Sequence, residues 1–325
     1  MKRILICAAA AIVALASCSK TQVVYNDAPE EIGFKAVSGV MTKAPIGDKN
    51  YSTMGVFANY SPTGAGYTEL PAGVTAYNPY LTNEEFTDNT TYWGGTTAQY
   101  WPLVGRLDFV VYAPFANGVT RPYSAGENKL VVPVSNNTLG SQEDWMYGEV
   151  MLSSKSKSNE AMAINIRHAL AKITVSVTSD LGGLIINSLV IDDTEQQETF
   201  TVDYSGTDPD YTDGDTRLTW TNVNNNAVDM TLITGHTAVK DVAVSASCYV
   251  IPSGQTSITM TYTLPGAGSP LSYKHTFATG NWVENHHYTY AISIGVNEIK
   301  FDPTETDWSN ETAVPITVDP NTPNN

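Results

Sequence analysis

Cysteine, basic charge and long apolar runs are what this 325-residue chain has least of. Its three cysteines are Cys7, Cys18 and Cys248, and the first two sit in or at the end of an amino-terminal apolar run. That leaves Cys248 without an internal partner, so the fold must hold by its core and its backbone ladders. Lys and Arg total 17 against 33 Asp and Glu, a formal net charge of −16. A surface of that sign repels nucleic acid and anionic lipid headgroups, which removes both from the expected partners. The apolar run, Ile4 to Leu15, falls short of the roughly 20 residues that cross a bilayer.

Long Ala/Leu/Glu/Lys stretches are also missing, and no amphipathic helix can be drawn. Neither a G-x-S-x-G nucleophile elbow nor an H-E-x-x-H metal pair occurs, and no two carboxylates are singled out for acid–base work. Asp208, Asp210, Asp213 and Asp215 suggest calcium, but counted back from Gly214 the loop would start at Pro209 and end at Trp220, which no EF-hand tolerates. His286 and His287 are adjacent, so on a strand they face opposite ways and cannot share one ion. Cys248 falls in the alternation Val242, Val244, Ala246, Cys248, Val250 and reads as an inert core residue. The expectation is a non-enzyme without metal or cofactor.

What is present begins with Lys2 and Arg3, the short apolar run, and then Leu15-Ala16-Ser17-Cys18. This is an export signal (1–17) ending in small residues and a cysteine, the pattern of a bacterial lipoprotein precursor. The mature chain would start at Cys18, acylated on its thiol and amine, and be held in the outer membrane by the buried CH₂ groups of those chains. Removing 17 of 325 residues leaves 308, a length suited to two domains. Losing Lys2 and Arg3 takes the 17 basic residues to 15 against 33 acidic ones, a net charge of about −18.

Residues 18–31 read as a polar tether. From Ile32 the period becomes two, with Ile32, Phe34, Ala36 and Val40 on one face and Lys35 on the other, until Thr42-Lys43-Ala44-Pro45 breaks the strand. Buried strands are expected over 54–59 and 106–113. The Tyr-, Gly- and Pro-rich stretch 60–101 between them is either a decorated loop or a set of short irregular strands. Further strands are expected over 129–134, 149–153 and 161–166, and after a boundary at 167/168 from Ile173 onward through a last strand over 288–299. Valine, threonine and tyrosine in short segments at turn-marked spacing predict an all-β chain, with Greek-key β-sandwich domains over 32–167 and 168–308 and a tail over 309–325.

Several segments, in this order, carry a resemblance. They are Ile32-Gly33-Phe34 with Thr42-Lys43-Ala44, and Tyr100-Trp101-Pro102 with Leu107-Asp108-Phe109-Val110-Val111-Tyr112-Ala113-Pro114. They continue with Asp144-Trp145-Met146-Tyr147, His168-Ala169-Leu170-Ala171-Lys172-Ile173, Ile251-Pro252 and Tyr288-Thr289-Tyr290-Ala291-Ile292, ending at Trp308. Together they resemble the fimbrillin family (Mfa-like, FimA-type) of Bacteroidia, whose members build surface pili. The resemblance implies two tandem transthyretin-like domains. It also implies that a trypsin-like surface protease cuts after a basic residue beyond the first strand, opening a groove that a strand from another pilin subunit fills.

On that scheme Lys43, before Ala44, is the scissile residue, with Lys35 and Lys49 as alternatives; the family more often has arginine there. The cut would carry off the lipid together with Ile32, Phe34, Ala36 and Val40, whose burial is worth on the order of 5–8 kcal/mol. Near the carboxyl end Val314, Ile316 and Val318 repeat the period-two pattern, and Pro315 suits an edge strand. Residues 313–318 are therefore either a donor strand or an acidic tail. The expected location is first an outer-membrane lipoprotein and then a fimbrium, at its stalk or its tip. The alternative is a monomeric surface lipoprotein that binds glycan through Tyr67, Tyr77, Tyr80, Tyr92, Trp93 and Tyr100, with a host glycan or protein as ligand.

Overall fold

The structure is a computed structural model and describes residues 30–36, 51–61, 78–102, 105–124, 127–134, 139–153, 161–205, 217–222, 227–252, 257–277, 282–295 and 299–307. Among these there are strands and no α-helix. The first nine are β1 (Gly33–Ala36), β2 (Thr53–Ser61), β3 (Asn78–Asp88), β4 (Trp93–Gly95), β5 (Arg106–Ala113), β6 (Tyr123–Ser124), β7 (Glu127–Val134), β8 (Met146–Ser153) and β9 (Met162–His168). The next five are β10 (Ala171–Ser179), β11 (Ile185–Glu195), β12 (Glu198–Asp203), β13 (Leu218–Asn222) and β14 (Ala227–Thr237). The last five are β15 (Val244–Val250), β16 (Ser257–Thr263), β17 (Leu271–Thr276), β18 (His286–Ile294) and β19 (Ile299–Asp307).

Seven strands close into a barrel in the order β1-β4-β3-β2-β5-β8-β9. Its interior holds Ile32, Phe34, Met54, Val56, Leu81, Phe86, Trp93, Leu107, Phe109, Val111 and Ile164. Strand β5 is buried without a break from Leu107 to Ala113, and its apolar run Phe109–Ala113 is explained by cover on both faces. Leu107, Phe109 and Val111 point into the barrel, whereas Val110 and Tyr112 point out into a second core. That second core lies under a four-stranded sheet, β13-β12-β7-β6. Strand β7 lies before the 167/168 division and β12 and β13 beyond it, yet Phe200 pairs with Val132 across them. The apolar side of β12, Phe200 and Val202, is fully buried against the barrel's outer face, and this burial draws the later segment back.

The remaining strands form a face-to-face sandwich of β15-β10-β18-β19 on β14-β11-β16-β17. Strand β10 alternates without a break, burying Ala171, Ile173, Val175 and Val177, and β18 answers with Tyr288, Tyr290, Ile292 and Ile294. These two lie parallel at the sheet's centre, from Lys172↔His287 to Ser179↔Ile294. The expected strand over 288–299 is in fact two, β18 turning antiparallel into β19. Between barrel and sandwich, Gln142 clamps Tyr249: its amide donates to the Tyr249 carbonyl and its oxygen accepts the Tyr249 N–H at 3.0 Å. His168 Nδ1 sits 2.7 Å from Asp144 Oδ1, both buried at the end of β9.

Candidate functional site: the strand that closes the barrel

Strand β1 closes the barrel between β4 and β9. It runs antiparallel to β4, with Gly33 opposite Gly94 and Phe34 opposite Trp93. On its other side it runs parallel to β9, from Phe34↔Met162 through Lys35↔Ala163 to Ala36↔Ile164. Just before it, Ile32 N donates to Gln99 O at 2.7 Å, and Trp101 N donates to Glu30 O at 2.9 Å. With Glu31 bridged to Tyr100, residues 30–36 form a continuous seam between the two flanking segments. Without that seam, β4 and β9 become free edges, and the barrel interior lies open between them.

The side chains follow the period read from the sequence. Ile32 and Phe34 point inward and are 1% and 0% exposed, while Lys35 points out. The Phe34 ring meets Phe109 edge-on at 5.1 Å and Phe86 at 5.5 Å, and Trp101 meets Phe109 at 5.6 Å. Trp93, the partner of Phe34 across the seam, stacks on Tyr51 at 5.1 Å. Burial, with Asp144 and Asp88 nearby, pushes the Tyr51 hydroxyl up to about 12. The slot is thus lined by neutral, apolar side chains, and its polar groups are backbone ladder groups of β4 and β9. Such a lining is complementary to an extended strand with alternate apolar side chains.

The outer face of the seam carries a feature that periodicity does not report. Tyr92 lies two residues before Gly94 on the same face, and its ring covers both Gly33 and Gly94. A Cβ built on Gly33 would sit 2.8 Å from Tyr92 Cδ2, and one on Gly94 would sit 3.1 Å from Tyr92 Cε2. The turn before β4 fixes the backbone of that tyrosine: Asn89 Oδ1 accepts from Thr91 N at 3.1 Å and Tyr92 N at 2.9 Å, and Asp88 Oδ1 accepts from Thr90 N at 2.9 Å.

Of the residues singled out from the sequence, the structure places Phe34 and Ala36 in β1 and Ile32 directly before it. Cys18, Val40, Lys43, Ala44, Val314, Ile316 and Val318 lie outside the described residues, as do Asp208, Asp210, Asp213, Asp215, Tyr67 and Tyr77. Lys35 presents its side chain to solvent, but its backbone lies in the ladder opposite Ala163, where a protease cannot extend it. Of the proposed sugar-stacking aromatics, Trp93 is buried in the barrel, Tyr92 covers the glycines, and Tyr80 and Tyr100 are exposed. Tyr80 already donates its hydroxyl to the Tyr100 carbonyl at 2.6 Å. Burial pushes the Cys248 thiol up to about 12. His286 and His287 turn to different partners: His286 Nδ1 lies 2.8 Å from the Glu284 carbonyl, and His287 Nε2 lies 2.8 Å from Thr174 Oγ1.

A family model described as fimbrillin-like matches residues 21–308. No curated protein matches the chain. Among solved structures, a fimbrial protein from Bacteroides vulgatus is similar with a TM-score of 0.56 at 15% identity, over 86% of this chain and 99% of its own. A candidate cell adhesion protein from Bacteroides uniformis reaches a TM-score of 0.54 at 19% identity, over 86% and 99%. Another from Bacteroides ovatus reaches 0.50 at 14%, over 88% and 100%. At these identities the likeness is one of fold.

Proposed function

The chain belongs to the fimbrillin-like family, and from that premise we propose that it is a structural subunit of a cell-surface pilus, at the stalk or the tip. It is exported as a lipoprotein anchored through Cys18 and cut after Lys43 by a trypsin-like surface protease. Loss of the amino-terminal segment removes β1, and a strand from a neighbouring subunit takes its place. Residues 313–318, with Val314, Ile316 and Val318 on one face, are the strand this chain donates in turn.

The single observation that carries the reading is the position of β1. It is a four-residue strand, sequence-terminal among the described residues, and it alone joins β4 to β9. Burying Ile32 and Phe34 contributes about 3–6 kcal/mol, which a departing strand gives up and an incoming one restores along with the ladder bonds.

The test uses the native host surface. Sheared fibres should contain the chain beginning at Ala44, and Lys43→Ala should leave it full-length, acylated and absent from fibres. A wild-type chain found only as an acylated, uncut monomer in the outer membrane would contradict the proposal and favour the glycan-binding lipoprotein.

A further inference from the structure

We propose that Tyr92 gauges the strand admitted to the β1 position, so that the slot takes an apolar–glycine–apolar strand from another kind of subunit and refuses the tail of a second copy of this chain. The inference rests on the strand-exchange reading above and names the partner for that slot.

The argument starts from the two facing glycines. Gly33 is buried although it points out of the barrel, because the Tyr92 ring lies on it. A β-carbon there would approach Tyr92 Cδ2 to 2.8 Å, closer than packed carbons come, and Cε2 to 3.2 Å. The Asn89 and Asp88 side chains hold the backbone turn that carries the ring, so relief at Gly33 requires the Tyr92 side chain to rotate away from it. That rotation gives up the cover the ring now lays over both glycines. A strand that fills the Ile32 and Phe34 sites with apolar side chains therefore fits under the ring in place only with glycine between them. Glycine is a poor strand former, and its place under an aromatic ring is the compensated arrangement.

The tail of this chain fails that requirement in every register. Placing Val314 and Ile316 in the two apolar sites, in either chain direction, puts Pro315 under Tyr92. Placing Ile316 and Val318 there puts Thr317 under it. No glycine occurs beyond Gly295. Threonine brings a branched β-carbon and proline a ring with no N–H for the ladder. The native occupant, Ile32-Gly33-Phe34, satisfies the gauge.

The experiment has three readings. In the intact chain, Gly33→Val should lower Tm, and Tyr92→Ala should recover part of the loss; strictly additive effects overturn the gauge. In the chain nicked after Lys43 and freed of its amino-terminal segment, a labelled peptide of residues 30–37 should bind at least about tenfold more tightly than the same peptide carrying Gly33→Val. Tyr92→Ala should erase that difference. Equal binding of both peptides to the wild-type slot overturns this inference alone, whereas binding of neither overturns the strand-exchange reading and the inference with it. Finally, the nicked wild-type chain alone should remain monomeric by light scattering, and the double variant Pro315→Gly, Thr317→Gly should polymerise. A ladder from the wild-type chain alone contradicts the proposal.

Discussion

Among the described strands the barrel and the sandwich each contain one parallel pair, and the two pairs are built to opposite ends. In the sandwich, β10 and β18 lie parallel at the sheet's centre, flanked by β15 and β19, with register continuous from Lys172 to Ser179. In the barrel, β9 is parallel to β1 only from Phe34 to Ala36, and the other neighbour of β1 is the three-residue β4. The first pair cannot leave without unfolding its domain core. The second is held by two large side chains and a short double ladder. On the proposed strand exchange, the difference teaches where exchange would occur: a replaceable strand needs a deep slot for affinity and a short seam for release.

The comparison breaks most visibly at Phe34. Phe34→Ala should cost about 3–5 kcal/mol and lower the barrel transition while the sandwich transition stays put, read by calorimetry and by the local fluorescence of Trp93 and Trp282. The mirror experiment, Ile292→Ala in the sandwich core, should cost about 2–5 kcal/mol and leave the trypsin cut beyond β1 unchanged in rate. A weaker probe is Cys248, which is 3% exposed and whose thiol is held near 12. It should resist alkylation at pH 8 until the sandwich itself unfolds, including after the cut that opens the barrel.

The smallest effect is expected at His275. Burial holds its imidazole below the ordinary 6.5, where it stacks on Phe301 at 3.9 Å. Its neutral form is the one the folded sandwich accepts, so its contribution is full above 6.5 and is lost as pH falls through the depressed folded value. His275→Phe should flatten that part of the pH dependence of sandwich stability, read as Tm between pH 7 and 5, and leave the barrel transition untouched.

How much of this was legible in the sequence follows from which forces are local. The alternation of Ile173, Val175 and Val177, and the apolar run Phe109–Ala113 of β5, announce their strands because burial is written residue by residue. The inward face of Ile32 and Phe34 was readable for the same reason. Strands β3 and β4 were hidden in the Tyr/Gly/Pro-rich stretch, where Asn83 and Thr90 take positive φ and interrupt the period. Register shifts between Val56 and Asn59 blur it further. The closure of β1 onto β9 and the return of β12 to β7 are pairings across more than sixty residues, fixed by the meeting of two apolar faces and by no pattern within either. The Tyr92 cover is of the same kind. Its only sequence signal was a glycine in each of two strands, a mark of close approach that does not say what approaches.

The most direct measurement is hydrogen exchange on the purified chain before and after a trypsin cut at Lys43. The account predicts that the amides of β1, and then those of β9 facing it, lose protection after the cut, while β10 and β18 keep theirs. Protection of β1 that persists after the cut at the level of β18 would contradict it.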